Sequence, residues 1–142
     1  MDRPIAGTLA RTLERLTLMA RVKRRILLAD DDPGLRRLIG TTLGTEDFEV
    51  LQAVDGEEAL RIAQQQHPEL VLLDVNMPKL DGFQVCQFLK TDPETSGIKI
   101  VMITARATDV DRARGRAAGA DDYFIKPFSP IQLLNKVYAL LE

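Results

Sequence analysis

The sequence predicts an α/β fold in which a five-stranded parallel sheet is covered by helices on both faces. From residue 26 onward, short apolar runs alternate with segments of helical periodicity. Three of the five apolar runs contain no charged residue, which is typical of parallel strands buried on both faces. Right-handed crossovers then place helices on the two faces of one doubly wound sheet. The predicted strands span residues 26–29, 48–53, 70–73, 98–103 and 123–125.

Capping residues and turn residues predict the five helices between and after these strands. Pro33 stands at a first-turn position, Asp32 precedes it as an N-cap, and Gly44 is a candidate C-cap, which predicts a helix over 33–43. Acidic first turns, apolar residues at helical spacing and a serine N-cap indicate the others. The second helix starts at residues 55–58, the third spans 82–90 and the fourth spans 109–118. The fifth helix follows the N-cap Ser129.

Length and composition indicate one domain and exclude several classes of protein. The 142 residues are 45% hydrophobic and 28% charged, close to the averages for globular proteins. No apolar run reaches the roughly 18 residues that a membrane span requires. The single cysteine, Cys86, lies among apolar residues at helical spacing and is predicted to be a buried, inert thiol. A location in the reducing cytoplasm is therefore expected.

Charge divides the chain into an N-terminal extension, residues 1–24, and a body, residues 25–142. Residues 1–25 carry seven basic and two acidic side chains, a net charge of +5, and the rest of the chain has a net charge of −7. The acidic body argues against direct nucleic-acid binding, whereas the basic start permits an anionic partner. Glu14 and several arginines interrupt any apolar region, so the extension is not a signal peptide.

The extension also contains an amphipathic pattern that predicts a helix. Its apolar residues recur at intervals of four, four, three and four, which places them on one stripe. Three interpretations stay open: a misassigned or disordered leader before a true start at Met19, a dimerisation or partner-docking helix, and a helix that binds a membrane surface. The stripe consists of Ile5, Leu9, Leu13, Leu16 and Ala20.

Polar residues follow four of the five predicted strands, at the same end of each strand. In a doubly wound sheet, ligands bind outside the carboxyl ends of the strands. Each of these residues alone is commonly a cap, a turn residue or a surface charge, but together they would meet at one edge. They are the triplet Asp30-Asp31-Asp32 after the first strand, Asp74 after the third, Thr104 after the fourth and Lys126 after the fifth.

The clustered carboxylates predict a magnesium site and a phosphoryl acceptor. Carboxylates repel one another unless a cation neutralises them, and oxygen ligands on a shallow edge suit Mg²⁺. A carboxylate beside Mg²⁺ can attack phosphorus to form an aspartyl phosphate, while the metal and a lysine take up charge on the transferred group. Asp74, held at the end of a rigid strand, is the candidate nucleophile.

Four segments resemble the receiver domain of bacterial two-component response regulators, a flavodoxin-like phospho-acceptor module. The resemblance implies the strand order 2-1-3-4-5, with five helices on both faces and the N-terminal helical extension added to them. The segments are "ILLADDDP" (26–33), "LVLLDVNMPKLDG" (70–82), "VMITA" (101–105) and "GADDYFIKPF" (119–128).

The same resemblance assigns roles to individual residues. It implies that Asp74 accepts a phosphoryl group from a histidine kinase or phosphotransfer protein, that Tyr123 and Thr104 form the switch, and that the Lys126–Pro127 peptide bond is cis. It implies Mg²⁺ ligands at Asp30, Asp31, Asp74 and the backbone carbonyl of Asn76. It implies phosphoryl-binding groups at Thr104, Ala105 and Lys126.

These roles predict a signalling domain rather than an enzyme, one that catalyses only its own phosphorylation and slow dephosphorylation. Because no output domain follows residue 142, the chain is expected to act as a stand-alone regulator that contacts an unknown downstream protein or forms a homodimer. The readout surface is predicted on the fourth helix, fifth strand and fifth helix of the body. The fourth helix is expected to shift easily because Gly115 lies inside it, at a cost of about 1 kcal/mol relative to Ala.

Two other functions share part of this pattern. A phosphatase of the haloacid dehalogenase type also uses an aspartyl nucleophile, but it requires a second Asp two residues later, where this sequence has Asn76. A degenerate receiver would bind partners without being phosphorylated, and the complete set of acidic, hydroxyl and lysine residues argues against it.

Overall fold

The computed structural model describes residues 3–21, 23–46, 48–106 and 108–141. Within these residues the chain forms five strands and six helices, and the five strands make one parallel sheet in the order β2-β1-β3-β4-β5. The predicted fold class is confirmed, including the N-terminal helix. The elements are α1 (Arg3–Arg21), β1 (Arg24–Ala29), α2 (Pro33–Gly44), β2 (Phe48–Ala53), α3 (Gly56–Gln66), β3 (Leu70–Asp74), α4 (Gly82–Thr91), β4 (Lys99–Thr104), α5 (Asp109–Ala118), β5 (Asp122–Ile125) and α6 (Pro130–Leu141).

Alternate residues of the central strands point to opposite faces of the sheet and form two apolar cores. Leu27 and Leu73 pack on the face covered by α3 and α4, with Ala118 of α5 at its margin. Leu28 and Leu72 pack on the other face, against α2 and α6. Both faces of the sheet are therefore buried along residues 26–29 of β1 and along β3, which explains why residues 26–29 and 70–73 are continuously apolar.

The observed ends of the elements differ from the predictions at a few residues. β3 extends one residue beyond the predicted range 70–73, so that the strand ends on Asp74 itself. The assignment of Gly44 as a C-cap was wrong. Gly44 is the last residue of α2, and the C-cap is Thr45, which keeps a right-handed φ of −78°. Its hydroxyl donates to the carbonyl oxygen of Thr42, which ends the helix without a residue at positive φ.

Aspartates cap α2, α3 and α4, three helices that begin at the site edge of the sheet, the edge formed by the carboxyl ends of its strands. The predicted cap Asp32 accepts hydrogen bonds from the amides of Gly34 and Leu35, while Asp55 and Asp81 cap α3 and α4 in the same way. Because each of these helices follows a strand of the parallel sheet, their starts lie beside the carboxyl ends of the strands.

The middle of the apolar stripe of the N-terminal helix α1 is exposed. The side chains of Leu9, Leu13 and Leu16 are 58%, 54% and 57% exposed. Those of Ile5 and Ala20 lie outside the described side chains. No helix among the described residues is both long enough and apolar enough to cross a membrane.

Candidate functional site

Three carboxylates meet at the carboxyl edge of β1 and β3. One oxygen from each of Asp30, Asp31 and Asp74 lies within 4.8 Å of the other two. Asp30 and Asp74 are buried, whereas Asp31 is exposed at the mouth of the site. The donor set consists of carboxylate oxygens at one shallow edge, which fits a hard cation such as Mg²⁺ that retains several waters.

Lys126 brings a positive charge to the two buried carboxylates. Its Nζ atom lies 3.1 Å from Oδ2 of Asp30 and 3.6 Å from Oδ2 of Asp74. The backbone N–H of Lys126 donates to the carbonyl oxygen of Thr104, which fixes the residue against the end of β4. The Lys126–Pro127 peptide bond is cis, as the resemblance to receiver domains implied.

The two buried carboxylates are held in the same way, by the turn that follows each of them. Oδ1 of Asp30 accepts a hydrogen bond from the N–H of Asp32 at 2.8 Å, and Oδ1 of Asp74 accepts one from the N–H of Asn76 at 3.2 Å. In each residue the other oxygen faces Lys126. Because the turns orient both side chains, the site is built before any ligand arrives.

Burial and a like charge make Asp74 an unusual carboxyl group. Removal from water is the largest cause, and the neighbouring Asp30 charge adds to it, so that the pKa of Asp74 rises to about 6. Lys126 and the N–H of Asn76 oppose this rise in the pKa because they stabilise the carboxylate form. A cation at the site would stabilise that form further.

The acceptor loop, residues 75–81, connects Asp74 to α4 and carries Asn76 on its exposed side. Its first residue is joined to the start of α4 by a hydrogen bond of 2.9 Å from the N–H of Gly82 to the carbonyl oxygen of Val75. A Cβ atom on Gly82 would lie 3.0 Å from the carbonyl carbon of Asp74, so α4 can start this close to the strand only with glycine.

Thr104 and Ala105 follow the strand next to Asp74. In the register of β3 and β4, Asp74 lies opposite Ile103, so Thr104 is the next residue at the same edge. Thr104 is 3% exposed, and its hydroxyl oxygen accepts a hydrogen bond from the N–H of Arg106. Ala105 is exposed beside it. The structure therefore brings the predicted metal and phosphoryl-binding residues to one edge.

Tyr123, the predicted switch residue, lies apart from the carboxylates, between β5 and α5. Its hydroxyl donates to the carbonyl oxygen of Asp111, and its ring lies over Gly115. A Cβ atom at position 115 would be 2.7 Å from Cζ of the ring. Partial burial raises the pKa of the Tyr123 phenol. The glycine that lowers the helix propensity of α5 is thus the residue that makes room for the ring.

Sequence reasoning missed Arg36 and Gly56, two residues that donate hydrogen bonds to the backbone of the site without belonging to the proposed ligand set. The guanidinium of Arg36 donates to the carbonyl oxygen of Asp30 at 2.7 Å, and the N–H of Gly56 donates to that of Pro78 in the acceptor loop at 3.2 Å. A weak signal for Gly56 existed, since the Asp-Gly pair at 55–56 repeats the pair at 81–82 that begins α4.

Comparison with known proteins gives a consistent result. The family model for the response regulator receiver domain matches residues 26–138. A protein named probable transcriptional regulator ycf27, from Cyanophora paradoxa, is 50% identical over 120 residues, which cover 84% of this chain and 49% of the relative. The DNA-binding dual master transcriptional regulator RpaA of Synechocystis is 44% identical over 118 residues, covering 83% of this chain and 49% of that protein. The chain thus spans about half the length of the curated relatives it matches.

Solved structures of similar fold include smaller proteins that the chain covers almost completely. The chemotaxis protein CheY4 of Vibrio cholerae superposes with a TM-score of 0.80 at 30% identity, covering 84% of this chain and 99% of that one. The receiver domain of the sensor histidine kinase PA1611 of Pseudomonas aeruginosa, determined with a magnesium ion coordinated in its active-site cleft, has a TM-score of 0.78 at 28% identity and covers 84% of this chain and 98% of that one.

Proposed function

The chain belongs to the response regulator receiver family, a family of phospho-acceptor signalling domains, and we propose that it accepts a phosphoryl group on Asp74 from a histidine kinase or phosphotransfer protein, with Mg²⁺ as cofactor. One observation carries the proposal: the carboxylates of Asp30, Asp31 and Asp74 come within 4.8 Å of one another, and Lys126 lies 3.6 Å from Asp74. This arrangement supplies a nucleophile, a set of metal ligands and a charge for the transferred group.

Asp74 is the nucleophile. A carboxylate oxygen attacks the phosphorus atom, the bond from phosphorus to the histidine nitrogen of the donor breaks, and its electron pair remains on that nitrogen. With a pKa of about 6, the Asp74 carboxyl group is mostly ionised at pH 7 and ready to attack. The end of β3 and the N–H of Asn76 hold the carboxylate in place, which reduces the entropy lost on the way to the transition state.

The metal ligands are the three carboxylates and a backbone carbonyl. Asp30, Asp31, Asp74 and the carbonyl oxygen of Asn76 would hold Mg²⁺, and the magnesium-bound PA1611 receiver domain of similar fold supports this choice of ion. When bound, Mg²⁺ offsets the repulsion between the carboxylates and draws charge from the phosphoryl oxygens.

Three further groups bind the phosphoryl oxygens. The Thr104 hydroxyl and the Ala105 backbone N–H donate hydrogen bonds, and the Lys126 ammonium supplies a positive charge. Movement of Thr104 towards the phosphoryl group changes the space available to Tyr123, and this change alters a surface formed by α5, β5 and α6. A downstream protein or a second copy of the chain recognises that surface.

The role of the complete protein reaches beyond the domain that the relatives share with this chain. RpaA, named as a DNA-binding regulator, is about twice the length that this chain matches. Action as a stand-alone regulator, a cytoplasmic location and the absence of direct nucleic-acid binding by the acidic body stay predictions. The proposal concerns the domain itself, whose activity is phosphoryl acceptance and not turnover of a separate substrate.

Acetyl phosphate with and without Mg²⁺, followed by measurement of the intact mass, tests the proposal. We expect one added phosphoryl group with Mg²⁺ and none after Asp74→Asn, a nearly isosteric change that keeps the hydrogen bond from Asn76. Labelling of Asp74→Asn at the wild-type level contradicts the assignment of the nucleophile. Continuous hydrolysis of phosphate esters indicates a phosphatase instead, and a folded wild-type protein that is never labelled indicates a degenerate receiver.

A further inference from the structure

The outer side of the acceptor loop rests on the start of α3 through a backbone hydrogen bond. The N–H of Gly56, the first residue of α3, donates to the carbonyl oxygen of Pro78 at 3.2 Å. The same oxygen accepts a hydrogen bond of 2.9 Å from the N–H of Leu80. Pro78 is therefore held both by its own loop and by a helix from another part of the chain.

Space, as well as hydrogen bonding, requires glycine at position 56. A Cβ atom there would overlap the carbonyl oxygen of Leu80 and lie 2.6 Å from the Leu80 Cβ atom. Most of what it would meet is backbone, which cannot turn aside as the end of a flexible side chain can. A larger residue at 56 would therefore have to push the acceptor loop away from α3.

The loop at this point has a conformation that needs support. Lys79 has a φ of +71° between the hydrogen-bonded Pro78 and Leu80, which defines a γ-turn of the rare, strained kind. Ion pairs from Lys79 to Asp55 at 3.5 Å and to Glu57 at 3.8 Å add a second link to the start of α3. The helix start and the strained turn thus hold each other in place.

We propose that the start of α3, with Gly56 at its centre, is a positioning element for the magnesium site, an inference that rests on the function proposed above. Asn76, whose carbonyl oxygen is the proposed ligand, lies two residues before Pro78. A displacement of Pro78 therefore reaches that ligand through two peptide units. Because Mg²⁺ demands near-ideal octahedral geometry, a shift of a few tenths of an ångström at one ligand weakens binding. Gly56 touches no ligand and acts only through the loop.

Gly56→Ala tests the proposal, with Gly44→Ala as the matched control. Both glycines lie in helices, but a Cβ atom at Gly44 meets nothing within 4 Å. We expect Gly56→Ala to weaken Mg²⁺ binding by at least fivefold and Gly44→Ala to stay within twofold of wild type. The measurement is a Mg²⁺ titration of the unphosphorylated protein, followed by amide chemical shifts. Labelling by acetyl phosphate should require correspondingly more Mg²⁺.

A purely structural role for Gly56 would lower the stability of the protein and leave Mg²⁺ binding by the folded protein unchanged, and that result overturns the proposal. If Gly56→Ala does not fold, Lys79→Ala decides the question. Lys79 is 57% exposed, so its removal breaks the ion pairs without disturbing the core. We expect the Mg²⁺ dissociation constant of Lys79→Ala to be two- to threefold higher than that of the wild type, and an unchanged constant overturns the proposal. Failure of the wild-type protein to bind Mg²⁺ would instead contradict the proposed function.

Discussion

The ammonium group of Lys126 lies 3.1 Å from Oδ2 of Asp30, a side chain that is fully buried. The same nitrogen is 3.6 Å from Oδ2 of Asp74. The positive charge of Lys126 therefore offsets the mutual repulsion of two carboxylates. Lys126 thus has a structural role in the metal-free protein in addition to its proposed contact with a phosphoryl group.

Lys126→Met is expected to destabilise the metal-free protein at pH 7. Loss of the ammonium leaves two buried carboxylates in mutual repulsion. This should lower the free energy of unfolding by about 3 kcal/mol, the lower end of the cost of breaking a buried ion pair, because the Lys126 side chain is 26% exposed. Saturating Mg²⁺ should recover much of this loss because it replaces the missing charge. Denaturant unfolding with and without Mg²⁺ measures both effects.

Lys136→Met is the control, since Lys136 is similarly exposed and pairs with Asp122 at 2.9 Å. Saturating Mg²⁺ should raise the free energy of unfolding of Lys136→Met by no more than it raises that of the wild type. An equal Mg²⁺ response in the two variants would contradict the bridging role of Lys126.

Asp74 makes the stability of the metal-free protein depend on pH. Its pKa is about 6 in the folded protein against an ordinary value of 3.8, so the folded state binds this proton more tightly than the unfolded state. The contribution of Asp74 to the free energy of unfolding therefore falls as the pH rises from about 4 to about 6. Asp74→Asn removes this effect and should raise the free energy of unfolding at pH 7 by about 1 to 3 kcal/mol. Unfolding curves without Mg²⁺ should show the gain at pH 7 and much less of it at pH 4; a gain that is the same at both values would argue against the raised pKa.

Asp31 and Asp32 are adjacent in sequence but should respond oppositely to substitution. Asp31 belongs to the carboxylate cluster and is exposed, so Asp31→Ala should weaken Mg²⁺ binding by at least tenfold and leave the metal-free stability unchanged or slightly higher. Asp32 caps α2, so Asp32→Ala should cost about 0.5 to 2 kcal/mol of stability and leave Mg²⁺ affinity within a few-fold. Calorimetric titration and thermal unfolding of the two variants separate these roles, and a stability loss confined to Asp31→Ala would reverse the assignment.

The sheet and the site edge were predictable because the physics that specifies them is local. Continuous apolar runs identify buried strands, and the position of Asp74 directly after such a run places its carboxylate at the carboxyl end. The same holds for Asp32, whose capping role follows from its place before Pro33. Parallel topology then brings these separate strand ends together.

The supporting contacts were not predictable because they join parts of the chain that only tertiary packing brings together. Helix propensity counts the entropy that Gly115 loses in α5 but contains no information about the Tyr123 ring that occupies the space. The contact of Gly56 with Leu80 likewise depends on the angle between α3 and the acceptor loop. The C-cap at Gly44 was predicted wrongly because Thr45 satisfies the helix end in a right-handed conformation.

Gly115→Ala should move the ring of Tyr123 without unfolding the protein. The added Cβ atom would lie 2.7 Å from Cζ, and a ring at the end of a side chain can rotate away. The phenol then loses its hydrogen bond to Asp111 and becomes more exposed, so its raised pKa should fall towards the ordinary value. Spectrophotometric titration in a Tyr138→Phe background reports on Tyr123 alone. An unchanged pKa would mean that the ring keeps its place and that α5 moves instead.

Removal of residues 1–18, so that the chain starts at Met19, should leave the receiver fold and its chemistry intact. Leu9, Leu13 and Leu16 are 58%, 54% and 57% exposed, so these positions of α1 bury little apolar area against the body, and their loss costs the body little. We expect the shortened protein to be labelled by acetyl phosphate at the wild-type rate and to melt within about two degrees of the full chain. Circular dichroism should show the loss of helix α1, and sedimentation of both forms reports whether the stripe joins two copies. A large drop in melting temperature without a change in mass would show that α1 instead packs on its own domain.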